Sequence, residues 1–450
     1  MRLLFCCESY YPQGGGVQEV IRQIAERMVA KGHDVTVATS HHPDRKSLVI
    51  NGVKIRDFRA GGKLPYGLNG EIDQYRKFVQ GFYADAVLIM AAQQWTFDAL
   101  WPVLDQIAAR KVFIPCGFSS LYEPAFAEYF QKIPEVLRKF DHFIFNAERY
   151  RDIDFVRAFG LTNFTVLPNG VSEVEFEQPR DLQFRGRMGI SDDDFVFLTI
   201  GNPIEAKGHS EVIEAFSRLD TEGRPATLIA VANWPQGSPK VNFIHSAVKR
   251  LAEIARLEGI KGVQKFIWRK LAELAVTRPK VEETAQVKAS KANAQPLKRV
   301  MLTDLPRSDL IQACMTADLF VFASRIEYSP LVLFEAAAAG TPFLTVPVGN
   351  ANEIVRWTGG GMLCDAAKDA RGYTRVDPAV LAREMSRCMK DPEMMNRLGA
   401  VARERWRRHF TWQVVAGYYE EILSGRNPDA PLRDLDLPAY AGGEPVSGGK

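Results

Sequence analysis

Two glutamates eight residues apart, Glu327 and Glu335, enclose Tyr-Ser-Pro-Leu-Val-Leu-Phe. The types and the spacing suit a seat for a phosphorylated ligand rich in hydroxyls. Ser329 reads as a helix N-cap, because its hydroxyl can accept from a free backbone N–H one turn on. Pro330 then takes the first helical position, where a missing N–H costs nothing. Gly340 and Pro342 supply the stop. Backbone N–H groups at the mouth of such a helix lack internal partners and carry the positive end of its dipole, so they suit a phosphate. Glu335 falls about one and a half turns in and leans back toward the mouth. Glu327 sits in the loop just before. A carboxylate repels phosphate but accepts well from hydroxyls. One phosphate seat between two hydroxyl-gripping acids fits a nucleotide sugar.

The surrounding segments would have to hold that arrangement. Leu319-Phe-Val-Phe-Ala323 and Phe343-Leu-Thr-Val346 are short apolar runs of the kind found in buried parallel strands. A strand–loop–helix–strand unit puts its loop at the carboxyl edge of the sheet, where such folds bind ligands. The chain opens the same way. Leu3 to Cys7 is strand-like, Pro12-Gln-Gly-Gly-Gly16 is a loop, and Val17 to Lys31 carries helical periodicity before Val35-Thr-Val-Ala38. Further short strands are Ala86–Ile89, Val112–Ile114, Phe143–Phe145 and Phe164–Leu167, followed by the turn Pro168-Asn169-Gly170. A second unit begins with Phe195–Ile200. Gly201 opens a loop through Lys207-Gly208, Ser210 to Leu219 is helical, and Thr227–Ala232 is the next strand.

The 450 residues call for two or three domains, and 46% hydrophobic content supplies their cores. The reading is an α/β chain of two Rossmann-like, doubly wound domains facing a cleft. The amino-terminal domain spans 1–178, on the acceptor side, and the donor domain 190–409. A final helix at 410–425 crosses back, and 426–450 is a flexible tail. Residues 236–300 form a basic helical insertion. They carry 14 Lys and Arg against 5 Asp and Glu, a net of +9, whereas the whole chain has +3. Phe243 to Val276 reads as amphipathic helix. Its basic residues with Phe266, Ile267 and Trp268 match an anionic membrane surface, through 240–280, an acidic partner, or a solvated hairpin. Nothing else in the chain points to nucleic acid. Six scattered cysteines without metal-ligand spacing fit a reducing compartment. The acidic start is no signal peptide and no apolar run reaches membrane length. The expected location is the cytoplasm, or peripherally the inner face of the cell membrane.

Glu327 and Glu335, the Gly201…Lys207-Gly208 loop, Pro168-Asn169-Gly170-Val171 and Gly14-Gly15-Gly16-Val17 together resemble glycosyltransferase family 4. Ala338-Ala-Gly-Thr-Pro342 and Gly349-Asn-Ala-Asn-Glu353 extend the match. The resemblance covers the chain except 236–300 and the tail. It implies the GT-B fold and retaining transfer from a nucleoside-diphosphate sugar, without cofactor or metal, to a saccharide or lipid-linked acceptor. The family-level base is uracil, as UDP, with guanine the alternative. Glu327 would contact hydroxyls of the reacting sugar, Glu335 would hold the ribose and Lys207 would face the diphosphate. Backbone near Leu331 and Val332, and around Gly15 and Gly16, would cradle the phosphates, with Ser329, Gly201 and Asn202 also at the donor.

Two positions depart from the family pattern. Asn202 stands where an arginine is common, and Gln93 and Gln94 stand where a histidine often follows the strand. Either glutamine can bind acceptor hydroxyls, but neither is a general base. These departures keep open a non-catalytic nucleotide-sugar-binding or scaffold relative. An epimerase on the same two-domain plan is the other alternative.

Overall fold

The computed structural model describes residues 1–234, 283–428, 432 and 435. It contains two doubly wound α/β units. The strands of the first half are, in chain order, β1 (Arg2–Cys6), β2 (Asp34–Ser40), β3 (Val49–Ile50), β4 (Val53–Phe58), β5 (Ala60–Lys63), β6 (Gly67–Gly70), β7 (Ala86–Met90), β8 (Arg110–Ile114), β9 (His142–Phe145) and β10 (Phe164–Val166). Eight of them form one sheet in the order β10-β9-β8-β7-β1-β2-β4-β3. Only β3 runs antiparallel to its neighbour there, while β5 and β6 make a separate hairpin. The second half has β11 (Phe195–Ile200), β12 (Ala226–Val231), β13 (Lys298–Thr303), β14 (Leu319–Phe322), β15 (Phe343–Thr345) and β16 (Gly361–Leu363). Their order is β13-β12-β11-β14-β15-β16, and every pairing is parallel.

Strands buried on both faces read as near-continuous apolar runs, as β7 and β14 do throughout and β11 does apart from Thr199. Each sheet reverses its winding once, between β1 and β7 in the first and between β11 and β14 in the second. A crevice opens at such a switch point, outside the carboxyl ends of the strands. The loops there carry Gly14 to Gly16 after β1, Gly201 to Gly208 after β11 and Glu327 after β14.

Two strands of chain join the halves side by side. Val171 N–H donates to Phe410 C=O at 2.8 Å, and Trp412 N–H donates to Val171 C=O at 3.0 Å. The helix Trp412–Leu423 then returns to the first half. Its buried Trp412, Val415, Tyr419 and Ile422 share one apolar cluster with Leu3, Phe5, Ile21 and Ile24.

One sequence expectation changes. Residues 285–300, grouped by charge with the insertion, belong instead to the second sheet's framework. Thr284 caps a helix at Ala285–Asn293, and β13 starts at Lys298. Their basic residues are exposed, as Lys291 and Arg299 are, or half-buried and bonded, as Lys288 to Glu214 and Lys298 to Ser217 C=O, and net charge does not separate that case from an insert. The amphipathic reading of Phe243 to Val276 and the 240–280 surface lie outside the described residues, as does most of the tail. Among the described residues, no helix is long and apolar enough to cross a membrane.

Candidate functional site

A cavity of about 720 Å³ lies between the two halves and is lined by both switch points. Gly15, Gly16, Gly201, Asn202, Lys207, Glu327, Ser329, Leu331, Val332 and Glu335 all border it. The helix Gly16–Ala30 begins on one side and the helix Leu331–Ala339 on the other. The two mouths face each other closely, since a Cβ built on Gly16 would lie 3.7 Å from Leu331 Cδ1. Two sets of unpaired N–H groups therefore point toward one space, the arrangement an anion needs.

The local folding of the acid-bearing loop differs from the sequence reading at Ser329. The helix starts at Leu331, Pro330 is its N-cap residue, and no side chain caps it. Ser329 Oγ instead accepts from Asn169 Nδ2 at 3.1 Å and Asn350 Nδ2 at 3.3 Å. Proline lacks an N–H, so moving it one place outward costs the helix nothing and frees the serine to tie the loop down.

Glu327 Oε1 accepts from Lys207 Nζ at 2.6 Å and from Ser324 Oγ at 2.8 Å. Oε2 has no protein partner among the described residues. The lysine reaches that far because Gly208 adopts a left-handed φ of 73°. A Cβ there would come within 1.9 Å of Ala323 C=O, so only glycine lets the 201–208 loop lie against the end of β14.

Glu335 is 14% exposed and pairs with Arg307 at 2.6 Å. Arg307 also donates to both oxygens of Glu175, at 3.0 and 2.7 Å. Burial alone would lower the Arg307 guanidinium, but Glu335 and Glu175 beside it hold it above its usual range. Arg22, a second cavity-lining arginine, is bonded by Glu19 and Glu26. Neither arginine was evident in the sequence, because nothing in the spacing of Arg22 or Arg307 relates them to Asn202. Both are engaged, so neither takes over as it stands from the arginine common at that position.

The acceptor-side glutamines are placed differently from the expectation. Gln93 is only 2% exposed and does not border the cavity. Its Oε1 accepts from Ser119 Oγ and Ser120 N–H, both at 3.3 Å. The left-handed backbone of Ala91 and Gln93, φ 69° and 63°, turns that side chain into the fold. Gln94 is half-buried and accepts from Glu8 N–H at 3.4 Å.

Several contacts across the halves had no sequence signal, since their partners are about two hundred residues apart. Glu353, buried, accepts from Glu148 N–H and Arg149 N–H at 2.8 and 2.9 Å. Burial pushes its carboxyl up to about 7 even against those two donors. Asn350 Nδ2 donates to Asn146 C=O at 2.6 Å.

A two-Rossmann fold with a polyanion seat between its halves defines the GT-B architecture of nucleotide-dependent sugar transferases. Residues 14–174 match Glycosyltransferase Family 4, and residues 280–405 match Glycosyl transferases group 1. Together the two matches span more than half of the chain, and it belongs to the family 4 glycosyltransferases. The chain is 23% identical to the D-inositol 3-phosphate glycosyltransferase of Thermomonospora curvata, over 91% of this chain and 90% of that one. It is 35% identical to the glycogen synthase of Mycobacterium tuberculosis over 112 residues, only a quarter of either chain. Among solved structures, HepE of Anabaena in complex with UDP superposes with a TM-score of 0.65. That match has 15% identity and covers 94% of this chain and all of HepE.

Proposed function

We propose that the chain transfers a glycosyl group from a nucleoside-diphosphate sugar to a hydroxyl of a saccharide or lipid-linked acceptor, with retention and without a metal. The observation that carries this reading is the convergence of two helix mouths, Lys207, Glu327 and Glu335 on one interdomain cavity. The fold neighbours solved with UDP share the architecture at low identity, so the base is left to experiment.

As the glycosidic bond breaks, negative charge grows on the departing diphosphate. Helix-terminal N–H groups and Lys207 stabilise that charge more in the transition state than in the ground state. Lys207 must then share its proton donors between Glu327 and the diphosphate, which links sugar binding to phosphate binding. Glu327 Oε2 is left to accept from a sugar hydroxyl. The acceptor hydroxyl attacks from the face the leaving group departs, keeping the anomeric configuration. A location at a membrane surface rests on 240–280, outside the described residues.

Thermal melting tests the reading directly. Uridine, guanosine or adenosine diphosphate at millimolar concentration should raise the melting temperature. Glu335→Ala should weaken binding by about 10–100-fold, the loss of a charged hydrogen-bonding group. If none of the three nucleotides shifts melting, the donor-site reading fails. A chain that binds nucleotide yet hydrolyses no nucleotide sugar is a binding relative, the reading that Asn202 favours.

A further inference from the structure

The loop that carries Glu327 belongs to the second half, yet the first half holds it. Tyr150 hydroxyl donates to Glu327 C=O at 2.8 Å. Asn146 N–H donates to Tyr328 hydroxyl at 3.0 Å, and that hydroxyl also bonds the buried Asp152 carboxylate. Asn169 Nδ2 donates to Ser329 C=O at 3.3 Å as well as to its hydroxyl. The rings of Tyr150 and Tyr328 pack at 5.0 Å. Three successive residues, 327 to 329, are thus each fixed by a different residue of the opposite domain. Within its own domain the loop has fewer backbone ties. Asn350 N–H donates to Tyr328 C=O, and Gly349 packs so closely that a Cβ would lie 2.4 Å from that oxygen.

We infer that Tyr150 is a positioning residue for Glu327, so that the sugar-facing carboxylate is aligned by closure of the two halves rather than by the donor domain alone. The inference rests on the proposed role of Glu327 and adds who sets its geometry. Tyr150 is well suited to this. Its hydroxyl reaches the backbone, not the carboxylate, of the reacting-site residue and is also bonded by its neighbour Arg151, and its ring stays anchored against Tyr328 when the hydroxyl is removed. The diphosphate seat is built from other groups, Lys207 and the two helix mouths. Loss of the Tyr150 hydroxyl therefore separates turnover from binding.

The test uses the full chain and a nucleotide sugar that the wild type hydrolyses, with binding of the matching nucleoside diphosphate measured in parallel. Tyr150→Phe should lower kcat by about 3–10-fold, the range for one neutral hydrogen bond. KM and nucleotide Kd should stay within about twofold, and the melting temperature should move little. Asn169→Ala should show the same split, and the double variant should lose less than the product of the two, because both act on one loop. Tyr83→Phe, an exposed ring that makes none of the loop's contacts, is the unaffected control. An unchanged kcat in Tyr150→Phe overturns the inference and leaves the donor site standing. A parallel rise in Kd and KM overturns it too, by showing a general structural role. A wild type that hydrolyses no donor overturns both readings.

Discussion

The carboxyl edges of the two sheets are built from the same topology and have opposite physics. At the edge of the second sheet, site residues are charged and hold one another: Lys207 with Glu327, Arg307 with Glu335 and Glu175. Tight turns there are made by glycine, as at Gly208 and Gly349, and among the described residues no other type has positive φ at that edge. The first sheet's edge instead strains ordinary residues. Ala91, Gln93, Cys116 and Phe118 all have φ between 46° and 69°. Such a residue costs about 1–3 kcal/mol and persists only where its surroundings over-determine it. Here polar side chains turned inward do so. Gln93 holds Ser119 and Ser120, and Asp152 accepts from Gly117 N–H at 2.8 Å. A diphosphate is the same polyanion in every donor and is met by fixed charge and backbone. The facing edge carries shape, through loops locked into unusual conformations.

The largest effect that could break this contrast lies at Lys207. Lys207→Met removes the lysine that, alone among the described residues, sets its ammonium beside Glu327 in the cavity. Turnover of a nucleotide sugar should fall about 10²–10³-fold, as when a preorganised donor to a developing anion is lost. Melting should change little, because the pair is partly exposed and such pairs contribute about 1 kcal/mol or less. A variant that keeps turnover but unfolds would make this edge a structural one.

That outcome bears on what the sequence could show. The strands β1, β7, β11 and β14 were legible as apolar runs, and the cavity-lining glycines, lysine and glutamates as short motifs, because each depends on residues close in the chain. The insertion's extent, the helix start at Leu331 and the inward turn of Gln93 were not. Each is decided by partners far away: Asn169 and Asn350 for Ser329, and Ser119 and Ser120 for Gln93. Asn202 was visible, but the engagement of Arg22 and Arg307 with nearby acids was not, since ion pairing leaves no trace in spacing.

A second prediction sits on the seam between the edges. Glu353 has its carboxyl raised to about 7, chiefly by burial, from an ordinary 4.5. The folded state therefore keeps its proton over a window where the unfolded chain has lost it. Stability from this group is full below about pH 4.5 and declines until about pH 7, a loss of up to about 3 kcal/mol. Glu353→Gln should flatten that fall in melting temperature between pH 5 and 8, while costing about 1 kcal/mol at low pH through one lost acceptor. Identical pH slopes for wild type and variant would show that the carboxylate is charged and well served by the Glu148 and Arg149 N–H groups.

The smallest effects sharpen the comparison within the first sheet's edge. Gln93→Ala leaves Ser120 N–H without its acceptor in a buried site and should destabilise by about 1–3 kcal/mol. Gln94 makes one long bond, to Glu8 N–H at 3.4 Å, from a half-buried position. Gln94→Ala should cost about 0.5 kcal/mol or less, the level of a weak exposed contact. Neither residue borders the cavity, so nucleoside-diphosphate affinity should be unchanged in both, read by calorimetry beside the melts. Should Gln93→Ala melt like wild type yet bind nucleotide tenfold more weakly, its side chain would act on the donor seat, and the division of labour between the two edges would be wrong.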